Sequence, residues 1–269
     1  MKVTRRPAVA GSFYPADPEE LKAEVLGYLN QAAKTANHAP RFLIVPHAGY
    51  FYSGAVAGAA FEEVRGQTFE QIILLGPSHR YTFMGAAATL DQIWQCPLGD
   101  FTVTRPNQWP LSESKWHALE HCLEVQLPFL SQLFPNAKLF PFLLSGSLEQ
   151  APALAKALQT LDSPETLWVI STDFSHVGPD FGYSPKTHGF ASGEAMDKEA
   201  IGLVATGDRR GFKSFFERYH ATICGALPVL TAMEILKNQG LGPFSFKQYD
   251  SSQHKSAGPN AVGYAAFYV

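Results

Sequence analysis

The chain is short of several residue types, and each shortage closes off a class of protein. Only three of its 269 residues are cysteine, Cys96, Cys122 and Cys224, an odd number with no CxxC spacing. That usage fits a reduced compartment, so a cytoplasmic location is expected. Charged residues make up 17% of the chain, the net charge is −3, and no block of like charges occurs. Neither nucleic acid nor an anionic membrane is therefore the expected partner. No apolar run approaches the roughly 20 residues of a membrane span. The opening MKVTRRPAVAGSFYP has two arginines but no apolar run behind them, so no signal peptide is expected. GxSxG, Walker A, GxGxxG and HExxH patterns are all missing, which leaves serine hydrolase, P-loop NTPase, Rossmann dehydrogenase and zincin unsupported.

What the chain does have is apolar mass and a repeated pattern. The hydrophobic fraction is 46%, with 20 Phe and 10 Tyr, enough for a sizeable core. In Arg41–Gly49, RFLIVPHAG, the run Phe42 to Val45 stops at Pro46-His47. A continuous apolar run of that length reads as a strand buried on both faces, as in a parallel sheet. Pro46 cannot continue the ladder, so His47 is placed just past the strand's carboxyl end. Ile72–Leu75 runs into Gly76-Pro77-Ser78-His79, and Leu167–Ile170 into Ser171-Thr172-Asp173-Phe174-Ser175-His176. Ligands of open parallel sheets bind beyond the carboxyl ends of the strands, so these three deliveries point to one shared site.

The rest of the chain is expected to form one α/β domain over 1–269, a mostly parallel central sheet flanked by helices. Val9–Pro15 reads as an irregular arm. Asp17 caps a helix with Pro18 at its first position and acids in its first turn. Ser53 is the expected cap of a second helix with a Val56, Ala60, Phe61 and Val64 stripe. Gly85–Leu90 and Lys138–Leu144 read as strands, and 91–110 as a long excursion. Ala118–Phe134 reads as helical, kinked or broken at Pro128. Helices are expected over Leu148–Leu161, Gly193–Thr206 and Arg209–Tyr219. Cys224 opens a further helix to about Leu236, and Ala261–Val269 is a closing strand.

Nine histidines are present, and His47 and His79 are the most informative because each follows a strand and a proline. The DxxH spacing of Asp173 and His176 suits a pair facing a common centre or a carboxylate orienting an imidazole. On a helix, His121 and Glu124 would share a face as an ordinary His–Glu pair. Cys96 and Cys122 read as small apolar side chains. Cys224 sits where an apolar helix begins, a position that favours thiolate, although a buried cysteine at a tight Cys-Gly turn fits as well.

Six stretches in order resemble the Memo family: AGSFYP (Ala10–Pro15), PHAGYFYSG (Pro46–Gly54), GPSH (Gly76–His79), EHCLEVQLPFL (Glu120–Leu130), STDFSH (Ser171–His176) and YHATICG (Tyr219–Gly225). The bacterial and archaeal branch of that family is called AmmeMemoRadiSam system protein B. The resemblance implies a fold similar to class III extradiol dioxygenases and a pocket that binds iron, most readily Fe(II), or copper. Zinc also suits the donors. It implies His47, His79 and Cys224 as metal ligands, with His121, Asp173 and His176 as catalytic or proton-transfer groups in the same pocket. The thiolate stands where the dioxygenases have a carboxylate. The implied partners are a radical SAM protein and an AMMECR1-like protein. Two functions follow: a redox-active metalloprotein or oxidoreductase on a small molecule, or a metal carrier or peptide-binding module whose cleft is rich in Tyr14, Tyr50, Tyr52 and Phe174.

Overall fold

The computed structural model of the protein describes residues 3–107 and 109–269. Met1 and Lys2 of the N-terminal stretch, and Gln108 of the 91–110 excursion, lie outside the described residues. The chain enters through a two-residue strand, β1 (Thr4–Arg5), and the arm over 9–15 is indeed irregular, turning on Gly11 at φ 82°. Helix α1 (Pro18–Gln31) starts where the sequence says: the Asp17 carboxylate accepts the amides of Glu19 and Glu20. Its buried face is Leu21, Val25 and Leu29. All of β2 (Phe42–Val45) is buried. Helix α2 (Tyr50–Val64) begins three residues before Ser53, with Gly49 as cap. Ser53 is not the cap. Its hydroxyl donates to the Ala48 carbonyl, while the arm supplies the missing acceptor: the Tyr50 amide donates to the Phe13 carbonyl at 2.7 Å.

Strand β3 (Gln71–Pro77) ends at the Ser78-His79 loop, and β4 (Gly85–Ala88) follows it. The excursion is not structureless: β5 (Ile93–Trp94) pairs parallel to β1 and antiparallel to β6 (Phe101–Thr102). The helix expected over 118–134 is broken well before its proline. Helix α3 (Ser114–Ala118) stops, a turn carries Glu120 to Leu123, and a 3-10 turn Glu124–Gln126 leads into α4 (Leu127–Leu133). The Glu120 side chain accepts the amides of His121 and Cys122 there, which replaces helical bonding. Pro128 sits harmlessly in the first turn of α4. Strand β7 (Lys138–Ser145), helix α5 (Ala151–Leu158), β8 (Thr166–Ser171) and the short β9 (His176–Val177) come next. The chain then builds α6 (Gly193–Ala205), α7 (Arg209–Tyr219), α8 (Ala226–Asn238), β10 (Ser245–Ser251) and β11 (Ala261–Tyr268).

The main sheet has the order β10-β11-β2-β8-β3-β7-β4. It is mixed. The four central strands are parallel, while β4 at one side and β11 and β10 at the other run antiparallel to their neighbours. Alternate residues of the central strands face opposite layers, as strand pleating requires. Leu43, Val45, Ile72, Leu74, Leu167 and Val169 pack in one core with α1, α2 and α4 side chains. Phe42, Ile44, Ile73, Leu75, Trp168 and Ile170 pack in the other with those of α5, α6 and α8. Phe42 and Trp168 stack face to face, 5.5 Å between centroids, across the β2–β8 pair. Each such fully buried side chain contributes about 1.5–3 kcal/mol. The parallel register aligns Val45 with Ser171 and Leu75 with Ile170, so β2, β8 and β3 end level. Among the described residues no helix is long and apolar enough to cross a membrane.

Candidate metal centre

His47 leaves the end of β2 into a buried network that determines which ring nitrogen is free. Its amide donates to Asp173 Oδ1 at 2.7 Å, and its Nδ1 lies 2.9 Å from Ser171 Oγ. Ser171 donates its one proton to the Cys122 carbonyl at 2.7 Å and receives Gln126 Nε2 at 3.0 Å. The hydroxyl therefore accepts from His47 Nδ1–H, and the lone pair of His47 is on Nε2. That nitrogen is 3.3 Å from Cys224 Sγ. Burial first, then the neighbouring His79 and His121, push the His47 imidazole well below its ordinary basicity, so the ring is neutral.

Cys224 precedes α8 by two residues, and Gly225 is the cap. The glycine is needed for close approach: a Cβ there would overlap Thr172. The Asp173 amide donates to Cys224 Sγ at 3.3 Å. Burial and the Asp173 carboxylate nevertheless push the thiol upward, against the backbone donors that favour thiolate. The expectation that a helix start keeps this sulfur ionised is thus corrected: it lies outside the first turn and in a desolvated pocket. Burial also raises the Asp173 carboxyl, with His176 and the His47 amide opposing. His176 is pinned by its ring: Nδ1 lies 2.9 Å from the Phe174 carbonyl and 3.0 Å from that of Thr222. Both are pure acceptors, so Nδ1 carries the proton and Nε2 the lone pair.

The second half of the centre comes from loops. His79, in the turn after β3, donates its amide to Glu120 Oε2 at 2.8 Å and sets its Nδ1 2.9 Å from Oε1. His121 donates its amide to Oε1 at 2.9 Å and holds its Nδ1 3.2 Å from the same oxygen. Burial of Glu120 opposes its charge, but the hydrogen bonds from His121 and His79 outweigh it and hold the carboxyl well below the usual range. Phe13 of the arm packs on the His121 ring at 5.0 Å.

The two halves meet. The ring centroid of His47 lies 5.2 Å from that of His79 and 5.4 Å from that of His121, and the latter two stack at 4.9 Å. One ligand-capable atom from each of His47, His79 and His121 lies within 4.8 Å of the others. His79, Glu120 and Cys122 form a second such group. The first fits a borderline transition metal, with three imidazole donors and a thiol at 3.3 Å from one of them. The second fits poorly, because Glu120 is occupied by its histidines and the buried Cys122 thiol donates to the Pro77 carbonyl at 3.1 Å.

Of the residues singled out in the sequence, His47, His79 and His121 converge directly, and Cys224 joins through His47. Asp173 lies against His47 and Cys224, and His176 follows on the same segment. The His121–Glu124 pairing does not form. With the helix broken, Glu124 turns inward to Arg5 at 2.7 Å, to the amides of Ala8 and Val9, and to the Tyr14 hydroxyl. The aromatic cleft also needs correction: Tyr14, Tyr50 and Phe174 are core residues, leaving Tyr52 half-buried. Ser171, Gln126 and Glu120 were missed. For Glu120 the signal was there, a carboxylate directly before a histidine.

The sequence pattern of the family described as Memo-like protein matches residues 5–268. The chain belongs to the Memo-like family. It is 34% identical over 290 residues to Protein MEMO1 of Danio rerio, covering 98% of this chain and 96% of that one. It is 32% identical over 288 residues to Protein MEMO1 of Homo sapiens, covering 98% and 96%. Identity to the Protein memo-1 homolog of Caenorhabditis elegans is 30% over 287 residues, covering 98% and 81%. The Memo-like resemblance thus spans both halves of the centre, and the relatives named are animal proteins.

Proposed function

We propose that this Memo-like protein holds a transition metal ion, Fe(II) first and copper or zinc next, and acts as an oxidoreductase on a small molecule. His47 and His79 are the shared donors, with Cys224 and His121 completing the set. The observation that carries this reading is the convergence of three imidazoles within 4.8 Å, beside a thiol. Any of these ions would supply Lewis acidity at the cluster, and iron or copper would add one-electron chemistry. The chain's own residues supply the rest. His47 is oriented by Ser171, and His79 by Glu120. Asp173, whose carboxyl is raised by burial, holds a proton more readily than an exposed acid. His176 presents Nε2 as a proton acceptor, since its Nδ1 is committed to backbone carbonyls.

The relation to class III extradiol dioxygenases belongs to the same proposal, supported by polar side chains gathered beyond the ends of parallel strands. So does membership of the bacterial and archaeal branch, with a radical SAM protein and an AMMECR1-like protein as partners, for which the support is the motif resemblance.

The test is Fe(II) loading without air, metal analysis, and O₂ uptake with candidate small molecules. Turnover supports the oxidoreductase. Stoichiometric binding without turnover points instead to the metal carrier or binding module. Full metal content in both His47→Ala and His79→Ala would sink the site. For the third donor, Co(II) or Cu(II) in the wild type should give a sulfur-to-metal charge-transfer band that Cys224→Ala lacks.

A further inference from the structure

Glu120 is the most heavily used side chain of the centre, and no metal-ligand role is left for it. It is 2% exposed. Its two oxygens receive the amides of His79, His121 and Cys122 and the ring Nδ1 of His79, with the ring Nδ1 of His121 alongside at 3.2 Å. A carboxylate can only accept, so each ring nitrogen facing it carries its proton there. Both lone pairs are then on Nε2, turned away from Glu120. The two rings stack with an interplanar angle of 25°.

Glu120 is itself anchored from the far end of the chain. Its carbonyl accepts Arg5 Nη2 at 2.7 Å, and Arg5 Nε donates to the His117 carbonyl at 2.7 Å. Arg5 is buried and also pairs with Glu124 at 2.7 Å, which in turn receives the amides of Ala8 and Val9. The backbone of the 117–124 turn is therefore tied to the N-terminal arm, and the Glu120 carboxylate is presented to the loop after β3.

We propose that Glu120 is the positioning residue of this centre: one buried carboxylate, anchored through Arg5, sets His79 and His121 in the tautomer whose Nε2 is free to bind. The ligand role of those imidazoles rests on the proposed function, but their tautomers do not. A carboxamide at position 120 would keep one acceptor oxygen for the imidazoles, whereas a leucine of similar size would remove both. A shorter carboxylate would keep the acceptor character with altered reach.

The experiment starts with metal-free wild-type protein and long-range ¹H–¹⁵N correlation spectra of its histidine rings. His79 and His121 should both be Nδ1–H. Finding either as Nε2–H overturns the proposal without any variant. Glu120→Leu, which removes both acceptor oxygens, should move both rings toward Nε2–H, while His176, held by backbone carbonyls, keeps its tautomer. Glu120→Asp, which keeps the acceptor, should retain the wild-type tautomers, and the wild-type spectrum alone decides the matter if the Leu variant does not fold. Co(II) titration should then show Glu120→Leu weaker by about 10–100-fold, as for loss of a group that orients metal ligands. Unchanged tautomers and unchanged Co(II) affinity in Glu120→Leu overturn the proposal. If His47→Ala also binds Co(II) fully, it is the metal site that fails, and the tautomer result still stands by itself.

Discussion

His47 and His121 belong to one cluster, 5.4 Å apart between ring centroids, yet they are held by opposite means. His47 rides on the sheet. Its backbone is one residue beyond Pro46 at the end of β2, the neighbouring strand is in register at Ser171, and it is 2% exposed. His79 and His121 ride on loops, with side chains 31% and 23% exposed. What replaces the hydrogen-bond ladder there is a single charged hub, Glu120, with Arg5 behind it. A sheet places a side chain through its backbone, whereas a loop needs a buried side chain to do the same, and charge-assisted hydrogen bonds are the strong ones. The strand half should therefore respond to loss of packing and hydroxyl contacts, and the loop half to loss of charge.

The largest expected effect strikes the strand half. His47→Ala should lower Co(II) or Fe(II) affinity by more than about 100-fold, beyond the range for groups that only orient ligands, read by anaerobic titration and metal analysis. Retained binding would mean that the proposed metal site fails.

Acid should separate the halves next. His117, whose carbonyl anchors Arg5, is fully buried next to Trp94. Burial, then the charge of Arg5, push it down from 6.5 to about 4, with Asp91 opposing. The unfolded chain binds its proton first as pH falls. The stability present above pH 6.5 is therefore lost on the way down to pH 4, by about 1.4 kcal/mol per unit and about 3 kcal/mol in all. Asp197, which accepts the Ser175 amide and the Tyr249 hydroxyl, has the opposite sign. Burial raises it to about 6, so its contribution is present below its ordinary 3.8 and lost as pH rises through 6. Between pH 7 and 5, hydrogen-exchange protection, corrected for the intrinsic rate at each pH, should fall across residues 114–124 and not at Ser175–Val177. Equal loss in both would erase the distinction.

Ser171→Ala should be smaller, about 1–3 kcal/mol, because it strands buried partners of one hydroxyl. Denaturant unfolding reads the stability, and the His47 tautomer should loosen while those of His79 and His121 stay. The smallest effect is Phe51→Ser, at a side chain 66% exposed at the start of α2. It should change stability by no more than about 0.5 kcal/mol and leave Co(II) binding intact. A clear loss of affinity there would extend the centre onto the surface.

Much of this was legible in the residues themselves. β2, β3 and β8 are continuous apolar runs closed by Pro46, Gly76-Pro77 and Ser171-Thr172, so their existence and their delivery of His47, His79 and Asp173 to one edge follow from local pattern. The Asp17 cap and the helices 193–205 and 209–219 follow likewise. The misreadings share one cause. Ser53 lost the cap to the Phe13 carbonyl, the 118–134 periodicity was cut by the Glu120 carboxylate, and the Cys224 thiol is pushed upward by burial more than its place near a helix start pulls it down. The excursion found its strands because β1 was there to pair with. In each case the deciding partner is far away in the chain: 115 residues separate Arg5 from Glu120, and 124 separate His47 from Ser171. Strand, helix and turn preferences are set between near neighbours, and those the sequence by itself determined. Which nitrogen carries a proton, and which carboxylate holds which imidazole, depends on groups that only the folded chain brings within hydrogen-bonding distance and out of water, so those only the tertiary structure decided.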